Sequence, residues 1–172
     1  MSTAQAVQIP PSVLHWLAES PIDRPVVLLL RHSLRPPLPP DDVGFEVPIT
    51  EEGVAIARAL GQHLGARLRT LHASPLRRCV ETAEAMRTGA GCALPITHDR
   101  LLGNPGAFVH DGHLAGPIWR SESHESVLAR LVRDDAPLPG MAAPASAARY
   151  LVHHMLSVAA GRPGVHVFVT HD

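Results

Sequence analysis

The chain has 172 residues and a formal charge of -1, with all 15 of its Lys+Arg positions filled by arginine; that balance excludes the basic excess of a nucleic-acid or anionic-membrane binder. Its length suits one domain that buries roughly 70% of its unfolded surface, and Cys79 and Cys92 are too few for a disulfide scaffold. No apolar run approaches the ~20 residues of a membrane span and no signal-peptide pattern opens the chain, so a cytoplasmic location is the expectation.

Residues 1–24 read as a loose lead-in with a short helix, capped by Ser12 and carrying Val13, Leu14, Trp16 and Leu17. Residues 25–172 form the domain proper. Val26 to Leu30 is an unbroken apolar run, which predicts a strand buried on both faces, as in parallel sheets covered by helices. At its end come Arg31, His32 and, after Ser33 and Leu34, Arg35. Open α/β sheets bind ligands outside the carboxyl ends of their strands, so an imidazole stands between two guanidiniums where a substrate would sit. The planar guanidinium fork matches phosphate oxygens. A phosphoryl site is the functional reading; a strand that ends in solvated basic residues is the alternative.

Pro36, Pro37, Pro39, Pro40, Asp41, Asp42 and Gly44 predict a rigid loop above the strand end. Thr50 then caps a helix with Glu51 and Glu52 at its positive end, and Ile56, Leu60, Leu64 and Leu68 form an apolar stripe that predicts helix to about Arg69. A short strand at Leu71–Ala73 leads to Ser74, read as an N-cap with Pro75 at the first helical position. The backbone donors of that helix start would bind an anion beside Arg77 and Arg78, only one of which can face the sheet edge.

From Gly89 to Arg120 the Gly and Pro content predicts a weak strand near Leu94–Thr97 and a long irregular loop. His110-Asp111-Gly112-His113 lies there, the chain's nearest approach to zinc-ligand spacing but in a Gly-rich stretch, and no metal or other cofactor is expected. A helix is predicted from Ser121 or Ser123 through Val132. Another follows from about Pro144, with Ala147, Ala148, Leu151, Val152, Met155 and Leu156 on its apolar face and Arg149 and His153 outside it. Val165–Thr170 reads as a strand ending in His171-Asp172.

Three separated pieces, RHSLRP, SPLRRCVETA and VFVTHD, together resemble the histidine phosphatase superfamily, the phosphoglycerate-mutase-like and histidine-acid-phosphatase-like enzymes. Ser33 stands in the glycine place of the family's Arg-His-Gly, and Arg35-Pro36 looks like the acid-phosphatase continuation. The middle motif matches through Ser74, Leu76, Arg78, Thr82 and Ala83, and the last motif places His171 as a second catalytic histidine. The resemblance implies an α/β fold, a three-layer α/β/α sandwich with a mostly parallel central sheet. It also implies a metal-independent phosphomonoesterase, or small phosphotransferase, in which His32 becomes phosphorylated while Arg31, Arg35, Arg78 and His171 hold the phosphate oxygens. The mutase-like branch takes its proton donor from a glutamate after a leucine motif, where this chain has Arg100-Leu101-Leu102-Gly103. The acid-phosphatase-like branch uses the aspartate of a His-Asp pair, so Asp172 is the expected acid and Asp111 the second candidate.

The expected partner is a small phosphorylated substrate, with neither nucleic acid nor membrane. Family members continue past the second histidine, so the domain is expected to be short at its C-terminus, with uncovered sheet surface that invites self-association. The alternative from another class is a degenerate, phosphate-binding member with little or no turnover; a histidine-rich metal protein is a third.

Overall fold

The computed structural model describes residues 8–38, 44–134 and 136–171, apart from the His124 side chain. Pro11–Glu19 (α1) starts with proline at its first position and Pro10 at its N-cap, so the expected Ser12 cap is not used. Proline suits that position because it lacks only an N–H that would have no helical partner there. Pro25–Arg31 forms β1, and Glu51–Leu64 forms α2, whose Thr50 cap accepts the Gly53 amide as the sequence predicts. The helix stops earlier than its apolar stripe does. Gly65 takes a positive φ of 48°, a single 3₁₀ turn follows, and Leu68 already belongs to the next strand, Leu68–Ala73 (β2).

The next helix, Arg77–Gly89 (α3), begins three residues after Ser74, with Leu76 as its N-cap. The reading of Ser74 as cap and Pro75 as first helical residue is therefore corrected. Ser74 is fully buried, and its hydroxyl reaches the Leu76 amide only at 3.5 Å. Ile96–His98 (β3) and a 3₁₀ turn at Arg100–Leu102 come next. The predicted long loop then gives way to Gly112–Ser121 (α4), which carries Pro117 in its interior. A proline there removes a helical hydrogen bond. What offsets it is packing: Ala115 is buried with Val127, Leu131 and Met141, and Ile118 and Trp119 lean on the same cluster. His124–Asp134 (α5), Pro144–Ala159 (α6) and Gly164–Thr170 (β4) complete the described elements.

The described strands form one sheet, all parallel, in the order β1-β4-β2-β3. Val165, Val167 and Val169 of β4 point to the face that Ala57, Leu60 and Leu64 of α2 and Cys79, Ala83 and Met86 of α3 cover. Phe168 points to the opposite face, where it packs on Leu151 and Met155 of α6. The expected three-layer sandwich follows from that alternation. Close contact between α2 and α3 depends on Gly61, where any Cβ would overlap the Met86 carbonyl.

One expectation about the sheet is corrected. β1 is an edge strand: Val26 is buried but Leu29 is 43% exposed, so the apolar run is not covered on both faces. The strand buried on both faces is β4.

Candidate active site

The carboxyl ends of β1, β4 and β2 lie side by side, and short backbone bonds keep them level. The His32 amide donates to the Thr170 carbonyl at 2.8 Å, and the Ser74 amide donates to the Val169 carbonyl at 2.9 Å. His32, Thr170-His171 and Ser74 thus come to one edge of the sheet, from strands far apart in sequence.

His32 is 7% exposed, and its Nδ1 lies 2.7 Å from the Ser33 carbonyl oxygen. A carbonyl can only accept, so Nδ1 carries a proton, and in the neutral form of the ring the lone pair falls on Nε2. Ser33 fills the glycine place without conflict. Its amide donates to Thr82 Oγ1 at 3.0 Å, and its hydroxyl donates to the Gly53 carbonyl at 2.8 Å. Thr82 in turn donates to the Arg78 carbonyl at 2.7 Å, which ties the histidine loop to the first turns of α3.

Arg31, His32, Ser33, Leu34, Arg35 and Ile56 line a cleft of about 380 Å³. Arg35 is half-buried, and its Nη1 donates to the Pro36 carbonyl at 2.9 Å. Arg78 and His171 do not line that cleft. Arg78 is only 2% exposed at the start of α3, with Nη1 donating to the Gly44 carbonyl at 2.6 Å. Arg77 faces the other way, to solvent, where its Nε holds Glu81 Oε1 at 2.7 Å. The carboxylate's second oxygen accepts the Ile49 amide at 2.9 Å, so this pair braces the loop above the site.

His171 is half-buried beside Ser74 and Gly103. Gly103 has φ 149°, and a Cβ there would overlap the His171 imidazole and come within 2.7 Å of the Ser74 hydroxyl. The position where the mutase-like motif has glutamate is thus occupied by the turn's backbone close beside His171, with no room for a longer side chain. Thr170 just before it donates its hydroxyl to the Leu102 carbonyl at 2.7 Å. Sequence reasoning saw Gly103 only as a missing acid; its glycine in a motif place was the available signal.

Asp111 serves as the cap of α4, its Oδ1 accepting the His113 and Leu114 amides at 2.9 and 3.3 Å. Asp172 lies outside the described residues. Among the described residues no three His, Cys, Asp or Glu side chains are grouped to hold a metal ion.

No curated protein sequence matches this one. Solved structures share the fold. A mycobacterial glucosyl-3-phosphoglycerate phosphatase is 23% identical over 84% of this chain and 73% of its own, with a TM-score of 0.51. A putative alpha-ribazole-5'-P phosphatase from Escherichia coli is 15% identical over 84% and 73%, with a TM-score of 0.51. Mycobacterial hydrolase 2 is 22% identical over 84% and 66%, at 0.52. The histidine phosphatase superfamily (branch 1) model matches residues 43–171, which takes in the Ser74–Ala83 and Val167–His171 motifs and begins after Arg31-His32. With most of the chain under that match and the expected sheet beneath it, this protein belongs to the histidine phosphatase superfamily.

Proposed function

We propose that this phosphatase-family chain hydrolyses phosphomonoesters of small molecules through a phosphohistidine on His32, without a metal, in the cytoplasm. The observation that carries the reading is the contact of His32 with the Ser33 carbonyl, which accepts the Nδ1–H, so that in the neutral ring the lone pair lies on Nε2 of a residue lining the same cleft as Arg31 and Arg35. In the first step Nε2 bonds to phosphorus as the ester P–O bond breaks, and a proton goes to the leaving oxygen. In the second, water attacks phosphorus, the N–P bond breaks, and inorganic phosphate leaves. Arg31, Arg35 and Arg78, with His171, stabilise the charge on the transferred group. Asp172 supplies the first proton and takes one from water in the second step.

Incubation with a labelled phosphodonor, an alkaline quench and peptide mapping test this. The label is expected on His32 and absent from His32→Ala; phosphate on Ser33, or full turnover by His32→Ala, overturns the assignment. The proton donor has its own test. Asp172→Asn is expected to slow alkyl phosphates by about 10²-fold and aryl phosphates with acidic leaving groups far less, because the latter need no proton.

One observation favours a second reading. Gly103 occupies the motif's acid place and Asp111 is engaged as a helix cap, which suits a degenerate member that binds phosphate with little turnover. Such a protein binds inorganic phosphate and takes no covalent label.

A further inference from the structure

The face of the sheet under α6 carries a polar network that the phosphate site does not use. His72 stacks on Phe168 with ring centroids 4.7 Å apart, and His154 meets the same ring edge-on at 6.5 Å. Between the two histidines sits Asp99, 8% exposed. Its Oδ2 accepts His154 Nε2 at 2.6 Å and lies 3.8 Å from His72 Nδ1. Its Oδ1 accepts the Leu101 amide at 3.0 Å, its carbonyl accepts the Leu102 amide at 3.1 Å, and its own amide donates to the Ala73 carbonyl at 2.8 Å. One buried residue therefore fastens three pieces: its carboxylate ties α6 to the Arg100–Leu102 turn, and its backbone amide ties both to the end of β2.

What that turn touches is the second histidine. Leu102 accepts the Thr170 hydroxyl at its carbonyl, and Gly103 lies so near the His171 imidazole that a Cβ there would overlap the ring. A side chain packed this closely is set by the backbone beside it, and the backbone here is set by Asp99. A cap alone needs only Oδ1 for the turn's free amide; the second oxygen reaches across to a helix 55 residues away in sequence. That reach anchors the turn to the sandwich itself.

We propose that Asp99 and His154 are positioning residues, which hold the Arg100–Gly103 turn in place and thereby fix the orientation of His171. The proposal rests on the reading that His171 serves the phosphoryl site. Neither residue lines the cleft at His32.

His154→Ala and His154→Gln separate positioning from bulk. The glutamine amide can place an N–H near the imidazole Nε2 position and donate to Asp99, whereas alanine cannot. His154→Ala is expected to lower kcat about tenfold with KM within about twofold, since misplacing a reacting group slows chemistry more than binding. His154→Gln is expected to recover most of that loss. Side-chain NMR of His171, assigned with His171→Gln, is expected to shift and broaden in His154→Ala and to return in His154→Gln. Unchanged kcat and unchanged His171 signals in a folded His154→Ala overturn the proposal, as does a folded His154→Gln that behaves like the alanine variant. Wild-type protein that takes no phosphohistidine overturns the hydrolase reading instead, and the His171 signals still decide the positioning one.

Discussion

Arg77 and Arg78 are adjacent in sequence and opposite in environment, which makes them a sharp test of the site. Arg78→Ala is expected to lose on the order of 10²-fold in kcat/KM, comparable with other lost donors to transition-state charge. Arg77→Ala is expected to stay within a few-fold, because its exposed pairing with Glu81 braces a loop and contributes little energy. Steady-state kinetics of both variants check this; equal effects contradict the placement. Gly103→Ala is the second test. It forces a side chain into positive φ and against His171, so it is expected to lower Tm by about 5 °C and activity by at least about tenfold, read by calorimetry and turnover. Helical geometry says only that one of the two arginines can turn inward, and the resemblance picks Arg78, which is the buried one of the pair. His154 and Asp99 were not legible, since their pairing depends on how α6 lies over the sheet and no local pattern encodes that.

At the scale of elements, apolar runs identify strands but not their places in a sheet. Five apolar residues in β1 look more interior than the β4 sequence, which has a histidine in its middle, yet β4 is the covered strand. His166 makes that possible by bonding at both ring nitrogens, to Thr70 Oγ1 at 2.9 Å and to the Arg162 carbonyl at 2.9 Å. Helix ends were misjudged for a related reason: at Gly65 and Leu76 the tertiary path turns the chain where the periodicity would continue or begin it. The histidines under α6 also have a titration consequence. Burial pushes His72 and His166 below the usual imidazole value, with Asp99 partly opposing this at His72. A depressed folded pKa means that the unfolded chain binds protons first, so stability is full above about pH 6.5 and is lost as the pH falls toward the folded values. Tm is expected to drop between pH 7.5 and 5.5, and to drop less in His72→Leu; thermal scans over that range read the difference. Equal slopes in the two proteins contradict it.

For the whole molecule, the layered architecture was readable from alternating strands and amphipathic helices, because each apolar face must find a cover. Where that cover is thin was not readable. Tyr150, Val152 and Leu156 of α6 are exposed, as is Leu29 on the same side of the sheet. Residues expected to be buried as one stripe are divided: Ala147, Leu151 and Met155 face the sheet, while Ala148, Val152 and Leu156 face outward. An apolar surface of this kind promotes association. Light scattering is expected to rise with concentration in the wild-type chain and to fall in Val152→Glu/Leu156→Glu, with Tm nearly unchanged because neither side chain supports the core. No helix among the described residues is long and apolar enough to cross a membrane.

The central place of β4 also dictates an order of assembly. β1 and β2 both bond to β4 and not to each other, so until residues 164–170 have left the ribosome nothing bridges the first two strands. A nascent chain that has released only α1 to α6 owns the β2–β3 pair, a β1 without its neighbour, and the helices that will cover them. Arg31, His32 and Arg35 emerge early but are not aligned with His171 until the sheet closes around β4. Synthesis thus separates the appearance of His32 from its juxtaposition with His171, and the interval between them is when this chain would most need a chaperone's shelter.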